Sequence, residues 1–189
     1  MGAPDPETAV LEHLAGPVGT WEPGPASPGG IQSGLVRDGN PEQADMSSVR
    51  FVKHRRSERR HVYFVSFVGT HPRLGPLSFH YVYPVEPDPD GGWRVLGGAG
   101  GAGDGPKRSA PWVNLGGGGW PDRFFAGGHV DGAGHEVARV ELRFANGVTL
   151  ADDADAGVAL FITDESVELP ATAVLFDRDG AEVGRHTSP

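Results

Sequence analysis

Short stretches in which apolar and polar residues alternate dominate the chain, and a period of two is typical of half-buried β-strands. The clearest pair, residues 61–68 and 77–83, is rich in Val, Phe and Tyr, which suit a pleated sheet. Further strands are predicted at residues 93–96, 124–130, 137–144, 148–150, 158–163, 171–177 and 181–186. Turn residues separate most of them, and Asn146-Gly147 is a strong two-residue hairpin signal.

Residues 69–76 predict an antiparallel hairpin between the first two strands. With this loop centred, His80 lies opposite Val65, and side chains alternate between the two faces of the hairpin. The core face then carries Val62, Phe64, Ser66, Val68, Leu77, Phe79, Tyr81 and Tyr83, and the mixed face carries His61, Tyr63, Val65, Phe67, Ser78, His80 and Val82. On the mixed face, Tyr63, Ser78 and His80 are the candidates for a polar pocket.

One helix is predicted, over residues 5–16. Asp5 suits the N-cap because its carboxylate can accept a hydrogen bond from the first turn, and Pro6 suits the first helical position, where no N–H is needed. Val10, Leu11 and Leu14 form an apolar stripe. Two to three turns are too short to be stable alone, so this helix must dock on another element.

Proline and glycine interrupt the strand pattern in two places. Residues 17–49 hold five Pro and six Gly, and they are predicted to wrap irregularly around the domain, with a candidate strand at 31–37. Residues 97–119 are rich in Gly and are broken by Pro106 and Pro111. This second segment is predicted to be the joint between two β units.

The predicted fold class is mainly β, with antiparallel β-sandwich-like units and one short N-terminal helix. Residues 1–108 would be the helix plus a small antiparallel sheet, and residues 109–189 a β-sandwich-like unit. A single continuous sandwich with the helix as a lid is the main alternative. A chain of 189 residues can bury a core of this size without disulfide bonds.

Composition narrows the functional classes. The chain has no Cys, which excludes disulfides, thiolate zinc sites and cysteine nucleophiles. The net charge is −9: residues 1–120 contribute −1 (11 basic, 12 acidic) and residues 121–189 contribute −8 (5 basic, 13 acidic). This acidic balance opposes binding to nucleic acids and anionic membranes, so neither partner is predicted. No apolar run approaches about 20 residues and no signal-peptide pattern is evident, so we expect a cytoplasmic protein.

Positions 53–60 read Lys-His-Arg-Arg-Ser-Glu-Arg-Arg and form the most basic run of the chain. Its candidate contacts for an anion or an acidic partner are Lys53, Arg55, Arg56, Arg59 and Arg60. Guanidinium groups bind carboxylate and phosphate through paired N–H donors, which favours recognition of such groups. The alternative interpretation is a solvated loop or β-turn that leads into the strand at His61.

No motif predicts a cofactor or a metal site. Residues 98–103 match Gly-x-Gly-x-x-Gly, but Pro106 and Pro111 prevent the helix that a dinucleotide site requires. His61 and His80 would lie about 13 Å apart in the centred register, which is too far to share an ion.

Two polar clusters have simpler interpretations than a metal site. His129 faces Glu136 across a tight turn, which predicts a cross-strand pair. Asp152, Asp153 and Asp155 lack the spacing of an EF-hand loop, so they are predicted to form the acidic end of a hairpin.

The sequence therefore favours a non-enzymatic binding or protein-interaction module of unknown partner. The basic run and the acidic C-terminal part can drive docking on a charged partner or self-association. The alternative is a small enzyme or small-ligand-binding protein with a pocket between the helix and the first sheet, since a helix on a curved sheet readily encloses a cavity. Tyr63, His80 and Tyr81 are the polar groups expected there, although Tyr81 lies on the opposite face from the other two.

Overall fold

The computed structural model describes residues 5–17, 20–26, 32–37, 43–71, 75–103 and 108–188. The chain is mainly β, with 57% strand, several antiparallel sheets and one short N-terminal helix, which confirms the predicted fold class. The helix is α1 (Pro6–Ala15). The strands are β1 (Thr20–Ala26), β2 (Gln32–Arg37), β3 (Gln43–Ala44), β4 (Arg50–Arg56), β5 (His61–His71), β6 (Gly75–Pro87), β7 (Trp93–Val95), β8 (Ala99–Ala102), β9 (Trp112–Trp120), β10 (Arg123–Asp131), β11 (Arg139–Phe144), β12 (Thr149–Asp153), β13 (Val158–Thr163), β14 (Ala171–Phe176) and β15 (Glu182–Ser188).

Helix α1 begins where the sequence predicts, because Asp5 caps it. The backbone N–H of Thr8 donates to Oδ1 of Asp5 at 2.8 Å, which satisfies a donor that the first helical turn leaves without a partner. The buried side chains of the helix are Ala9, Val10 and Leu14, and they pack on one face of the first sheet. Docking of this apolar stripe therefore stabilises a helix that is too short to persist alone.

The first sheet, called the N-terminal sheet below, has the strand order β3-β5-β6-β7, with β4 also paired to β5 and β8 to β6. Its β5–β6 hairpin pairs His80 with Ser66, whereas the predicted register set Val65 opposite His80. A shift of one residue moves every side chain of one strand to the other face. The predicted division of the two faces is therefore wrong: Tyr63 shares a face with Tyr81, and His80 lies on the other.

The central sheet has the order β13-β10-β9, and both of its faces are covered. Alternate side chains of these strands point in opposite directions. Towards the N-terminal sheet, Phe125, Val158 and Leu160 pack against Val62, Phe64 and Val82. On the other face, Phe124, Ala126, Ala159 and Phe161 pack against Val140, Leu142, Phe144, Ala171, Ala173 and Leu175. The helix and three sheets are thus stacked in layers, and the separate folding of residues 1–108 and 109–189 stays a prediction.

The C-terminal sheet has the order β12-β11-β14-β15, and its first hairpin turns at the predicted place but through three residues rather than two. The backbone N–H of Phe144 donates to the carbonyl oxygen of Val148 at 2.9 Å, across Asn146 and Gly147. Gly147 has a φ of 85°, a conformation that glycine adopts without steric cost. The position of the hairpin is therefore confirmed, but the two-residue turn is wrong, because residues 145–147 separate the bonded Phe144 and Val148 and only Gly147 has a positive φ.

The glycine-rich segment 97–119 is more regular than a linker, because it contains β8 of the N-terminal sheet and β9 of the central sheet. Its role as a joint between two units stays a prediction. A Cβ atom on Gly100 would collide with the backbone carbonyl of His80, and one on Gly117 would collide with that of Phe125. Glycine is needed here because the neighbouring backbones approach closely, not because the chain is a flexible linker.

The segment 17–49 is more regular than predicted. In its described part, β1 and β2 form an antiparallel hairpin, and a two-residue strand follows at Gln43–Ala44. The candidate strand at 31–37 is confirmed from Gln32 onward, and Ile31 lies outside the described residues.

Candidate functional site: the groove beside the basic run

The basic run forms the second half of a strand and a turn, so the predicted loop is wrong for residues 53–56. Strand β4 ends at Arg56, and the backbone N–H of Ser57 donates to the carbonyl oxygen of Arg60 at 2.9 Å, which closes the turn into β5. In β4 Lys53 is buried, whereas Arg56 is exposed. The cations of the run therefore have different surroundings.

Two of these cations share one buried carboxylate. Nζ of Lys53 lies 2.6 Å from Oδ2 of Asp152, and Nε of Arg55 donates to Oδ1 of the same carboxylate at 2.5 Å. Lys53 also donates to the carboxylate of Asp155 and to the carbonyl oxygen of Val158. The hydrogen bond from Lys53 holds the pKa of the Asp155 carboxyl below its usual range. The predicted acidic hairpin end is thus a counterion of the basic run, with Asp152 buried.

Arg60 is buried and neutralised as well. Its Nη1 donates to Oδ1 of Asp164 at 2.5 Å, and its Nε donates to Oε2 of Glu86 at 3.3 Å. Glu86 also accepts hydrogen bonds from Arg94 at 2.5 Å and from Arg123 at 3.2 Å. This network joins the turn of the basic run to β6, β7 and the central sheet.

The network also changes the protonation of its carboxyls. Burial raises the pKa of Glu86, but hydrogen bonds from Arg94 and Arg60 outweigh it and hold that pKa below the usual value. Burial likewise opposes ionisation of Asp164, and hydrogen bonds from Ser57 and Arg60 lower its pKa overall. Both carboxylates are therefore charged at neutral pH, as their arginine partners require.

Arg56 and Arg59 are the members of the run whose guanidinium groups have no acidic partner among the described residues. Both side chains are exposed, and both line a groove of about 580 Å³. Trp93 lies in the same lining, and Glu58 supplies a negative charge there. Of the five sequence-predicted contacts, Arg56 and Arg59 are thus the two without an ion pair to any residue that the structure describes.

His61 also lines the groove, and it is hydrogen-bonded to His54 on the adjacent strand. Nε2 of His54 lies 2.8 Å from Nδ1 of His61, and the two rings are 6° from parallel with centroids 5.0 Å apart. Tyr63 stacks on His54 at 4.6 Å, and Trp93 contacts His61 edge to face at 4.9 Å. Burial and then the charge of Arg56 lower the pKa of His54, and burial, His54 and Arg56 lower that of His61.

The predicted pocket residues do not come together. Tyr63 is buried on the helix side of the N-terminal sheet, where burial raises its pKa to about 12. Ser78 and His80 lie on the opposite face, and Ser78 is exposed. The ring of His80 packs against those of Phe64, at 6.0 Å, and His129, at 4.2 Å, between the N-terminal and central sheets.

The predicted pair of His129 with Glu136 is wrong. Strand β10 pairs with β9 and β13, so His129 lies opposite Asn114 and Val158, while β11 belongs to the C-terminal sheet. Glu136 instead pairs with Arg178 at 2.7 Å. Within the described ranges, no group of three or more His, Asp or Glu side chains is arranged to hold a metal ion.

Apolar side chains line the contact between α1 and the N-terminal sheet. The buried residues of this cluster are Ala9, Val10, Leu14, Ala44, Tyr63, Val65, Phe67, Phe79, Tyr83 and Val85. One polar atom is unusual among them, because the hydroxyl of Tyr83 is buried without a hydrogen-bond partner in the described part of the chain. Burial raises the pKa of this hydroxyl, so it stays a neutral donor.

No family model, curated protein or solved structure matches this chain. In the part of the chain that the structure describes, no helix is long and apolar enough to cross a membrane. The function is therefore inferred from the chemistry of the groove.

Proposed function

We propose that the protein is a non-enzymatic binding module that docks an acidic segment of a partner protein in the groove beside Arg56 and Arg59. The observation that carries the proposal is the division of the basic run. Lys53 and Arg55 pair with the buried Asp152 and Arg60 pairs with the mostly buried Asp164, whereas Arg56 and Arg59 are exposed at a groove. A guanidinium group stays charged at physiological pH and presents forked donors, so two of them suit carboxylates.

The rest of the lining limits what this groove accepts. Trp93 and Pro87 offer apolar surface next to the two arginines, and Glu58 reduces the net positive charge of the lining. The net charge of −9 opposes long-range attraction of nucleic acid or an anionic membrane. A short acidic segment with an apolar neighbour therefore fits best.

A second copy of the chain is the other source of such a segment, because residues 121–189 carry a net charge of −8. Self-association through the groove would give a dimer that dissociates on dilution and in high salt, since exposed ion pairs are screened. We place the binding in the cytoplasm, a proposal that rests on the sequence alone.

A small-ligand-binding or enzymatic role under α1 is the second candidate. Its support is the buried hydroxyl of Tyr83, since a buried polar group without a partner is uncommon. Native mass spectrometry tests it: a small-molecule adduct that is retained by the wild type and lost in Tyr83→Phe would favour this role. A bare chain mass in both proteins would contradict it.

The main proposal is tested by fluorescence anisotropy with rhodamine-labelled hexaglutamate and, as a neutral probe, hexaglutamine. Arg56→Gln/Arg59→Gln should weaken hexaglutamate binding by about tenfold or more, which corresponds to about 1.4 kcal/mol. The matched control, Arg178→Gln/Arg185→Gln, removes the same charge from two exposed ion pairs elsewhere. Equal weakening in both double variants, or no binding by the wild type, would overturn the proposal.

A further inference from the structure

The contact between His54 and His61 has room for one proton between the rings but not for two. The nitrogens are 2.8 Å apart and the ring planes differ by 6°, so the rings meet nearly in plane. A hydrogen bond of this length needs an N–H group on one ring and a lone pair on the other. If both facing nitrogens carried a proton, two N–H groups would meet and the contact would break.

A single additional proton on the pair strengthens the same contact. When it binds to an outward-facing nitrogen, one ring becomes an imidazolium, whose N–H donates to its neutral neighbour in a charge-assisted hydrogen bond. The ring of Tyr63, stacked on His54 at 4.6 Å, offers its face to that cation. Because His61 lines the groove, the new positive charge appears beside the ligand of Arg56 and Arg59.

The charged groups around His54 and His61 set the pH at which this additional proton binds. The surrounding charged groups are Arg55 and Arg56 on β4, Glu58, Arg59 and Arg60 in the turn, Glu86 on β6, Arg94 on β7, and Asp5 and Glu7 at the start of α1, which act on Tyr63. Arg60 and Arg94 are paired with Glu86, so Arg56 is the nearby cation that opposes protonation most directly. An anion bound to Arg56 neutralises that charge and removes the opposition.

We propose that binding of an anion in the groove is linked to uptake of one proton by the His54–His61 pair, so that binding tightens as the pH falls. The inference rests on the proposed anion-binding role of Arg56 and Arg59 and adds the regulation of that site. Thermodynamic linkage is reciprocal, so the bound anion must raise the proton affinity of the pair by the factor by which the proton raises anion affinity. The two rings share a nitrogen-to-nitrogen contact, so they titrate as a unit that gains one proton.

The test needs a probe whose own charge does not change with pH. A rhodamine-labelled peptide of six cysteic acids meets this condition, because its sulfonates stay ionised. From about pH 7.5 to about pH 5, a window that extends below the usual histidine range because both pKa values are lowered, the wild type should bind this probe about three- to tenfold more tightly, as expected for one added charge nearby. Calorimetry in two buffers of different ionisation enthalpy should show uptake of up to one proton.

The matched variants are His54→Gln/His61→Gln, which removes the pair, and His135→Gln, which removes an exposed histidine outside the groove. The first should bind with little pH dependence and no proton uptake, and the second should behave as the wild type. If the wild type binds the probe equally at both pH values, the proton linkage is overturned while the groove proposal stands. If it binds at neither pH, the groove proposal itself fails.

A second measurement does not depend on the folding of a variant. Ring-proton resonances of His54 and His61 in the wild type can be followed by NMR during a pH titration, with and without the probe. Their titration midpoint should move to higher pH when the probe is bound. An unchanged midpoint at a probe concentration that saturates the groove would overturn the linkage.

Discussion

Nζ of Lys53 on β4 lies 2.6 Å from Oδ2 of Asp152 on β12, and the exposed fractions of the two side chains are only 4% and 0%. The backbone N–H of Leu160 on β13 donates to the same oxygen at 2.9 Å. Asp152 therefore links the N-terminal sheet to β12 of the C-terminal sheet and to β13 of the central sheet. Lys53 and Arg55 therefore stabilise the contact between sheets, whereas Arg56 and Arg59 are exposed at the groove.

Removal of the Asp152 carboxylate should destabilise the protein strongly. Asp152→Ala leaves Lys53 buried without its main counterion, and loss of one partner of a buried pair costs about 3–5 kcal/mol in the free energy of unfolding. Lys53→Met/Asp152→Leu should recover most of this loss, because an apolar pair of similar size avoids the desolvation of two charges. Urea unfolding at pH 7 measures both. A cost below about 1 kcal/mol for Asp152→Ala would contradict the burial of the pair.

The network of Arg60 with Glu86 and Asp164 should make stability depend on acid pH. Both carboxyls have a folded-state pKa below the usual value, so their contribution is complete above their ordinary pKa values, 4.5 for Glu86 and 3.8 for Asp164. It is lost as the pH falls through the lower folded-state values, because the unfolded chain binds protons first.

Melting temperatures of the wild type and of Glu86→Gln/Asp164→Asn, measured from pH 7 to pH 3, check this dependence. The variant should be less stable at pH 7, and its difference from the wild type should shrink below about pH 4. The histidines are the same in both proteins, so the difference in melting temperature reports on the two carboxyls. A constant difference across the whole range would contradict the role of this network.

Two neighbouring glycines of β8 provide a matched test of close strand packing. A Cβ atom on Gly100 would meet the backbone of His80 and Tyr81, whereas one on Gly101 would meet nothing within 4 Å. Gly100→Ala should therefore cost about 1–3 kcal/mol through overpacking. Gly101→Ala should be neutral or slightly stabilising, because alanine reduces the freedom of the unfolded chain. Denaturant unfolding measures the free energy of unfolding of both variants. Equal changes in the two would contradict the placement of this segment in a strand.

Elements whose determinants lie within a few residues could be predicted from the sequence. Asp5 and Pro6 mark the start of α1, Asn146-Gly147 marks a hairpin turn, and the apolar run of β13 gives a strand with the predicted bounds Val158–Thr163. The register of the β5–β6 hairpin could not be predicted, because pairing continues to His71 and Gly75. The number of connecting residues then decides which face each side chain takes.

The counterions of the basic run could not be predicted either. Arg55 and Asp152 are 97 residues apart in the chain, Arg60 and Asp164 are 104 apart, and nothing local distinguishes these acids among the 25 of the sequence. One signal was present, since Lys53 and Arg55 occupy alternate positions and therefore one face of a strand. This alternation distinguishes Lys53 and Arg55 from Arg56, but it does not identify their acidic partners.

The two-sided packing of the central sheet makes the division of the chain testable. In a fragment of residues 109–189, Phe125, Val158 and Leu160 would lose the N-terminal sheet that buries them. Exposure of large apolar side chains costs about 1.5–3 kcal/mol each, so three of them approach the whole stability of a typical domain. Asp152 would also lose Lys53.

We expect the fragment to show weak near-ultraviolet circular dichroism and no cooperative melting, with the full chain as control. A cooperative transition in the fragment would instead support two units that fold independently, since the central and C-terminal sheets would then suffice as a sandwich.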